Sequence, residues 1–105
     1  MAAYQFLLDA MEQKIATAHA HIAGAATTVV KSGPGRLHRI IYNKAVALSV
    51  VTIYDNTAAS GTVIAIITMP AALLASQWSV EYDVPFATGL TIVTSAADDI
   101  TVVYR

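Results

Sequence analysis

The chain has 105 residues, the length of one domain, and a formal net charge of −1. Only 12% of its residues are charged, against roughly 25% in a typical soluble domain, so it has no electrostatic hold on nucleic acid or an anionic membrane, and neither is expected as a partner. Cysteine is absent, which excludes disulfide staples, thiolate metal sites and a cysteine nucleophile.

The hydrophobic fraction is 56%, and so few charges cannot cover the surface of a lone monomer. Either that surface is mostly Ala and Thr, or other subunits cover much of it. Large exposed apolar patches mark interaction sites, which favours the second. The first residues lack a basic stretch, and Asp9 and Glu12 interrupt them, so they make a poor signal peptide. The apolar run 45–54 is too short to span a bilayer, and Pro70 breaks the run 63–75. The expectation is a protein made in the cytoplasm that stays soluble or joins an assembly.

Residues 4–22 have the pattern of a helix. Tyr4, Leu8, Met11, Ile15, Ala18 and Ile22 are spaced alternately four and three apart, as in a heptad seam. Gln5, Asp9, Glu12, Gln13 and Lys14 lie off that seam, while Phe6 and Leu7 add a second apolar edge. The helix either packs on its own domain or a larger assembly, or bundles with copies of itself. The six seam residues are the candidate interface, and Ile at a seam core position is compatible with a trimer. Gly24 is a plausible stop. This divides the chain into a helical arm, 1–24, and a second unit, 25–105.

The second unit reads as antiparallel β-structure. Strands are expected at 27–31, 36–42, 46–54, 63–67, 78–84, 90–94 and 100–104, each bounded by turn residues. Ser32-Gly33-Pro34-Gly35 is a turn, and no Gly-Lys-Ser/Thr comes after it to make it a phosphate loop. The alternation slips at Ile40-Ile41, which suggests a bulge. The loop 55–61 joins two runs rich in Val, Ile, Thr and Tyr and forms the tip of a central hairpin. Run 63–67 is apolar on both faces and is expected to be covered on both. Segment 69–76 is either a short helix behind Pro70 or a loop. In 78–84, Trp78, Val80, Tyr82 and Val84 point one way and Ser79, Glu81 and Asp83 the other, and Pro85 confines the next residues to an edge or a bend. Trp78, Val80, Tyr82, Leu90, Ile92, Ile100 and Val102 are the expected core. The fold class is mainly β: an antiparallel, jelly-roll-like β-sandwich with an N-terminal α-helix.

No catalytic, cofactor or metal constellation emerges. His19 and His21, two apart on a helix, would not share a face. His38 has no partner ligand in the sequence pattern. Asp55-Asn56 and Asp98-Asp99 are oxygen-rich but lack the spaced ligands of a calcium loop, and turn capping explains them better. Glu81 and Asp83 read as the wet side of a strand, and Ser32, Ser60 and Ser76 lie in no nucleophile elbow. Lys31, Arg36, His38, Arg39 and Lys44 form a basic cluster too weak for nucleic acid and suited to acidic groups on a neighbouring subunit. An enzyme is the least expected class.

The stretch Val29-Val30-Lys31-Ser32-Gly33-Pro34-Gly35-Arg36-Leu37-His38-Arg39-Ile40 resembles small virion proteins of tailed bacteriophages. The resemblance continues through Val51-Thr52-Ile53-Tyr54-Asp55-Asn56-Thr57-Ala58-Ala59-Ser60-Gly61-Thr62-Val63-Ile64-Ala65. It resumes at Glu81-Tyr82-Asp83-Val84-Pro85-Phe86-Ala87-Thr88-Gly89-Leu90-Thr91-Ile92-Val93 and ends with Asp99-Ile100-Thr101-Val102-Val103-Tyr104. It leaves the segment 4–22 outside. The resemblance implies a small β-sandwich that attaches to heads or tails and has no catalytic residues. The expected function is that of a capsid decoration (cement) protein, located in the virion and made in the host cytoplasm. Its partners would be the major capsid protein or other virion proteins and copies of itself, a trimer being favoured. A tail, baseplate or fibre-attachment component and a glycan-binding sandwich are the alternatives. The loop 55–61 lacks an aromatic platform for sugar stacking. Deleting 1–24 is expected to abolish binding or oligomerisation and to leave the sandwich folded.

Overall fold

The computed structural model describes residues 17–72 and 78–105, and no helix occurs among them. Eight strands succeed one another: β1 (Ala18–Ala23), β2 (Ala26–Ser32), β3 (Gly35–Lys44), β4 (Val50–Asp55), β5 (Thr62–Thr68), β6 (Trp78–Phe86), β7 (Gly89–Thr94) and β8 (Asp99–Tyr104). They form two four-stranded antiparallel sheets of order β1-β8-β3-β6 and β2-β7-β4-β5.

The pairing has a simple origin. β4 pairs with β5, β3 with β6, β2 with β7 and β1 with β8, so the chain is one long antiparallel ribbon folded at the 55–61 loop. Coiling that ribbon brings β8 beside β3 and β7 beside β4. The result is the strand order of a jelly roll. Connections β1–β2, β3–β4 and β7–β8 lie at one end of the sandwich, where β5 ends and β6 begins. Connections β2–β3, β4–β5 and β6–β7 lie at the other, with Arg105.

Register decides which side chains meet. In the first sheet, Ile22, Ile100, Tyr42 and Trp78 form one inward row, and Ala20, Val102, Ile40 and Val80 the next. In the second, Thr28, Ile92, Ile53 and Ala65 form one inward row, and Ala26, Thr94, Val51 and Ile67 another. The two inner faces merge into one core in which Leu37, Ile40, Val51, Ile53, Leu90, Ile92, Ile100 and Val102 are fully buried. Each such aliphatic side chain contributes about 1.5–3 kcal/mol by leaving water. Of the expected core, Leu90, Ile92, Ile100 and Val102 take these central places, while Trp78, Val80 and Tyr82 are half-buried on the edge strand β6. Trp78 stacks on Tyr42 with ring centroids 4.7 Å apart.

The seven strands expected from 27 onward all appear as β2–β8, but the N-terminal helix does not. Ala18–Ala23 is a strand paired residue by residue with β8, so the helical reading of 4–22 fails at its C-terminal end. The physical reason is the alternation of Thr17 to Ala23: Ala20 and Ile22 face the core, and His19 and His21 face out. Ile22 is 4% exposed, which removes it from any interface, and Ala18 sits opposite Tyr104. Tyr4, Leu8, Met11 and Ile15 lie outside the described residues. The division at residue 24 falls between two strands of the sandwich, which therefore includes Ala18–Ala23.

Three local expectations also shift. β3 is irregular at His38, between Leu37 and Arg39, and again at Asn43 against β8, not at Ile40-Ile41. β4 begins at Val50, because Leu48 adopts φ 63° in a turn where the Ser49 N–H donates to the Val46 carbonyl. Residues 69–72 are not helical, and 73–77 lie outside the described residues.

Candidate interaction surface

The two outer faces of the sandwich differ in chemistry. On the β1-β8-β3-β6 sheet, one outward row is His21, Thr101, Ile41 and Ser79. The next is His19, Val103, Arg39 and Glu81, and Asp99 and Lys44 pair at one end. This face is polar and carries charge of both signs, as a solvated surface does.

The β2-β7-β4-β5 sheet presents rows of a different kind. One is Thr27, Val93, Thr52 and Ile66; another is Val29, Thr91, Tyr54 and Val63; Val50 and Thr68 add a third pair. No charged side chain stands in these rows. Val29 is 50% exposed, Val63 43% and Ile66 60%, which is large for aliphatic side chains on one face. Strand β5 was expected to be covered on both faces. Instead it is an edge strand with no neighbour on its outer side among the described residues.

The loops at the hairpin-tip end are held by backbone donors. Both Asp55 carboxylate oxygens accept from the Ala87 N–H, at 3.1 and 3.0 Å. One of them also accepts from the N–H groups of Thr88 at 2.9 Å and Gly89 at 3.4 Å. These donors, Ala87 first, hold the Asp55 carboxyl below the usual carboxylate range. Asn56 closes its own loop by donating to the Ser60 carbonyl at 2.8 Å, and its carbonyl accepts from the Thr91 hydroxyl at 2.7 Å. The loop thus covers Thr91 and fixes the tip. Asp55 and Asn56 act as turn-closing groups.

At the same end, Arg36 donates from Nε to Asp83 at 2.7 Å and from Nη2 to the Asp83 carbonyl at 2.9 Å. The Arg36 hydrogen bond and charge lower the Asp83 carboxyl, and His38 Nδ1 lies 3.7 Å from it. Asp83 itself has φ 50°, an unusual backbone for Asp that this bidentate contact secures. Glu81 and Asp83, expected side by side on one wet face, are separated by a bulge in the β3–β6 register, and among the described residues only Asp83 of the two engages a cation.

At the opposite end, Asp98 is fully buried and accepts from the Val46 N–H at 2.7 Å and the Ser49 hydroxyl at 3.0 Å. It ties the β7–β8 turn to the β3–β4 loop. Burial, then the Asp98 charge, push the Tyr42 phenol well above its ordinary value. Asp99 accepts from His21 Nε2 at 2.6 Å and Asn43 Nδ2 at 2.9 Å, and these bonds, Asn43 first, lower its carboxyl.

His19 and His21 do share a face, because β1 is a strand and alternate residues of a strand point the same way. Even so, among the described residues no three His, Asp or Glu side chains are grouped to hold a metal ion. The basic cluster is dispersed: Arg39 stands on the outer face, Arg36 engages Asp83 and Lys44 ends β3. Ser32 ends β2, Ser60 sits in the hairpin tip, and Ser76 lies outside the described residues. No helix among the described residues is long and apolar enough to cross a membrane.

No protein-family model, no curated protein and no solved structure matches the chain.

Proposed function

We propose that the protein is a bacteriophage virion structural protein, a decoration (cement) protein that binds the outside of the head shell. The observation that carries this reading is the contrast between the two outer faces. The uncharged β2-β7-β4-β5 face docks on the shell, and the His, Arg and Glu face meets solvent. Burying Thr, Val, Ile and Tyr costs little desolvation, whereas burying unpaired charge is expensive. A rigid sandwich with such a face binds weakly as one copy and firmly when many copies hold one lattice. The resemblance of 29–40, 51–65, 81–93 and 99–104 to small virion proteins of tailed phages supports the same reading. So does the jelly roll, a frame that viral capsid domains use among others, although fold by itself does not fix function.

The partners are then the major capsid protein and other copies of this chain. The seam behind the trimer expectation loses Ala18 and Ile22 to strand β1. Quantitative mass spectrometry of purified particles tests the proposal. A copy number comparable to the shell protein is the expected result. A handful of copies per particle would move the protein to the tail, and its absence from particles would overturn the proposal.

A further inference from the structure

Strand β5 is an edge built unlike the other three. The β6 edge carries Glu81, Asp83 and Pro85 and is bent by a bulge. The β2 edge carries Lys31 and a register shift beside Val29. The β1 edge carries His19 and His21. Charge, proline and bulges are the devices that keep sheet edges from pairing. Strand β5 reads Thr-Val-Ile-Ala-Ile-Ile-Thr from Thr62 to Thr68, with no charge and no proline. Its one irregularity is the shift at Ile64, which leaves Ala65–Thr68 in regular register with β4.

The hydrogen-bond pattern says which groups are free. The Met69 N–H donates to the Ser49 carbonyl at 2.8 Å, one step beyond the Val50–Thr68 pair that begins the β4–β5 ladder. Antiparallel pairs alternate between bonded and non-bonded. The main-chain groups of Ile67 and Ala65 therefore face β4, and those of Ile66 and Thr68 face the outer edge, which no strand among the described residues pairs with. Beside this row of free donors and acceptors stands the Ile66 side chain, 60% exposed.

We propose that β5 is the seat of a two-fold contact between two copies of this chain, which joins their β2-β7-β4-β5 sheets into one continuous sheet. The occupant is set by the strand's own chemistry. A two-fold axis through Ile66 pairs its N–H and C=O with those of Ile66 in the second copy. It sets Ala65 opposite Ile67, both inward-facing, and brings the two Ile66 side chains together on the outer face. Inward residues meet inward residues and outward meet outward, so the register matches both pleats. Homotypic pairing of β6 or β2 would bring carboxylates or lysines of the two copies together at the seam, and β5 alone among the four edges carries neither charge nor histidine. The contact also removes from water the apolar surface that the sandwich leaves open on this strand. It is independent of any role in a virion, so it stands or falls separately from that reading.

The test is analytical ultracentrifugation of the full chain over a wide concentration range, together with amide hydrogen exchange. The expected result is a reversible monomer–dimer equilibrium in which the Ile66 and Thr68 amides gain protection as dimer forms. Ile66→Lys sets two like charges directly opposite each other and weakens association by about a hundredfold or more. Thr68→Lys, at a second exposed position on the same edge, weakens it in the same direction and guards against a folding defect in the first variant. A wild-type chain that stays monomeric up to its solubility limit would overturn the proposal. So would folded lysine variants that associate like wild type. Protection of the Ile66 and Thr68 amides in the dilute monomer would also overturn it, by showing that another segment of the same chain covers the edge.

Discussion

Replacing Ile22 by Ala separates a strand at residues 18–23 from a helical seam. Ile22 is 4% exposed and stands in a row with Ile100, Tyr42 and Trp78. The substitution removes three carbons from a filled site held by two packed sheets. Core Ile→Ala changes cost about 2–5 kcal/mol, the transfer loss plus the cavity left behind. Because β1 is an edge strand with room to relax on one side, the lower half of that range, about 2–3 kcal/mol, is expected. With a urea slope of about 1–3 kcal/mol/M, the midpoint falls by roughly 0.7–3 M at unchanged slope. The assay is urea denaturation followed by tryptophan fluorescence, since Trp78 lies in the same row. It is run at two protein concentrations. A core role gives the same loss at both, whereas a seam between copies gives a loss that grows with concentration. A stability change under about 1 kcal/mol, or one that tracks oligomer content, would refute the placement of Ile22 in the core.

Removing residues 1–24 deletes the whole of β1 with its ladder to β8, so the remainder should lose more stability than Ile22→Ala does, read by the same urea titration. Acid should destabilise the fold through Asp55, Asp83 and Asp99, whose carboxyls are all lowered in the native state. Their unfolded values lie near 3.9, so the unfolded chain takes up protons first, and the stability present above about pH 4 is lost as pH falls through the native values. Asp55→Asn should flatten that acid limb in a pH series of melting curves. Asp98→Ala strips the Val46 N–H and the Ser49 hydroxyl of their acceptor and should cost about 2 kcal/mol or more by chemical denaturation. A methyl group at Gly35 would collide with the Arg105 carbonyl and the Phe86 ring, so Gly35→Ala should lower the melting temperature although Gly35 has an ordinary φ.

The strands from 27 onward were legible because alternation and turn chemistry agreed there. Val51 and Ile53 against Thr52 and Tyr54 is one such signal, and Asn56 and Gly61 at the hairpin tip is another. The N-terminal segment misled because two periods competed. Tyr4, Leu8, Met11 and Ile15 set up a seam that Ala18 and Ile22 happen to continue, while Ala18 to Ile22 also alternate with period two. The pairing of Ile22 with Ile100 decides for the strand, and no local pattern contains that long-range contact. The exclusion of a joint role for His19 and His21 failed for the same reason, since it assumed a helix.

The interaction surface was half legible. Low charge pointed to a covered surface, but the sequence could not say where. The uncharged face appears only when Thr27, Val93, Thr52 and Ile66, from four separate strands, are laid side by side by register. Strand β5 looked buried because its composition is that of a buried strand. Its place at the end of the sheet order is a property of topology, which run-by-run hydrophobicity does not carry.

The most direct test of the central claim is re-decoration of phage particles that lack the protein. Purified wild type, Thr52→Asp and His21→Ala are each added in excess, and bound copies are counted after the particles are sedimented. Thr52 is central on the uncharged face, and His21 lies on the opposite one. The account predicts saturable binding of wild type and His21→Ala, and binding at least tenfold weaker for Thr52→Asp, on the order of the cost of burying an unpaired charge. Equal binding of all three, or loss with His21→Ala alone, would contradict it.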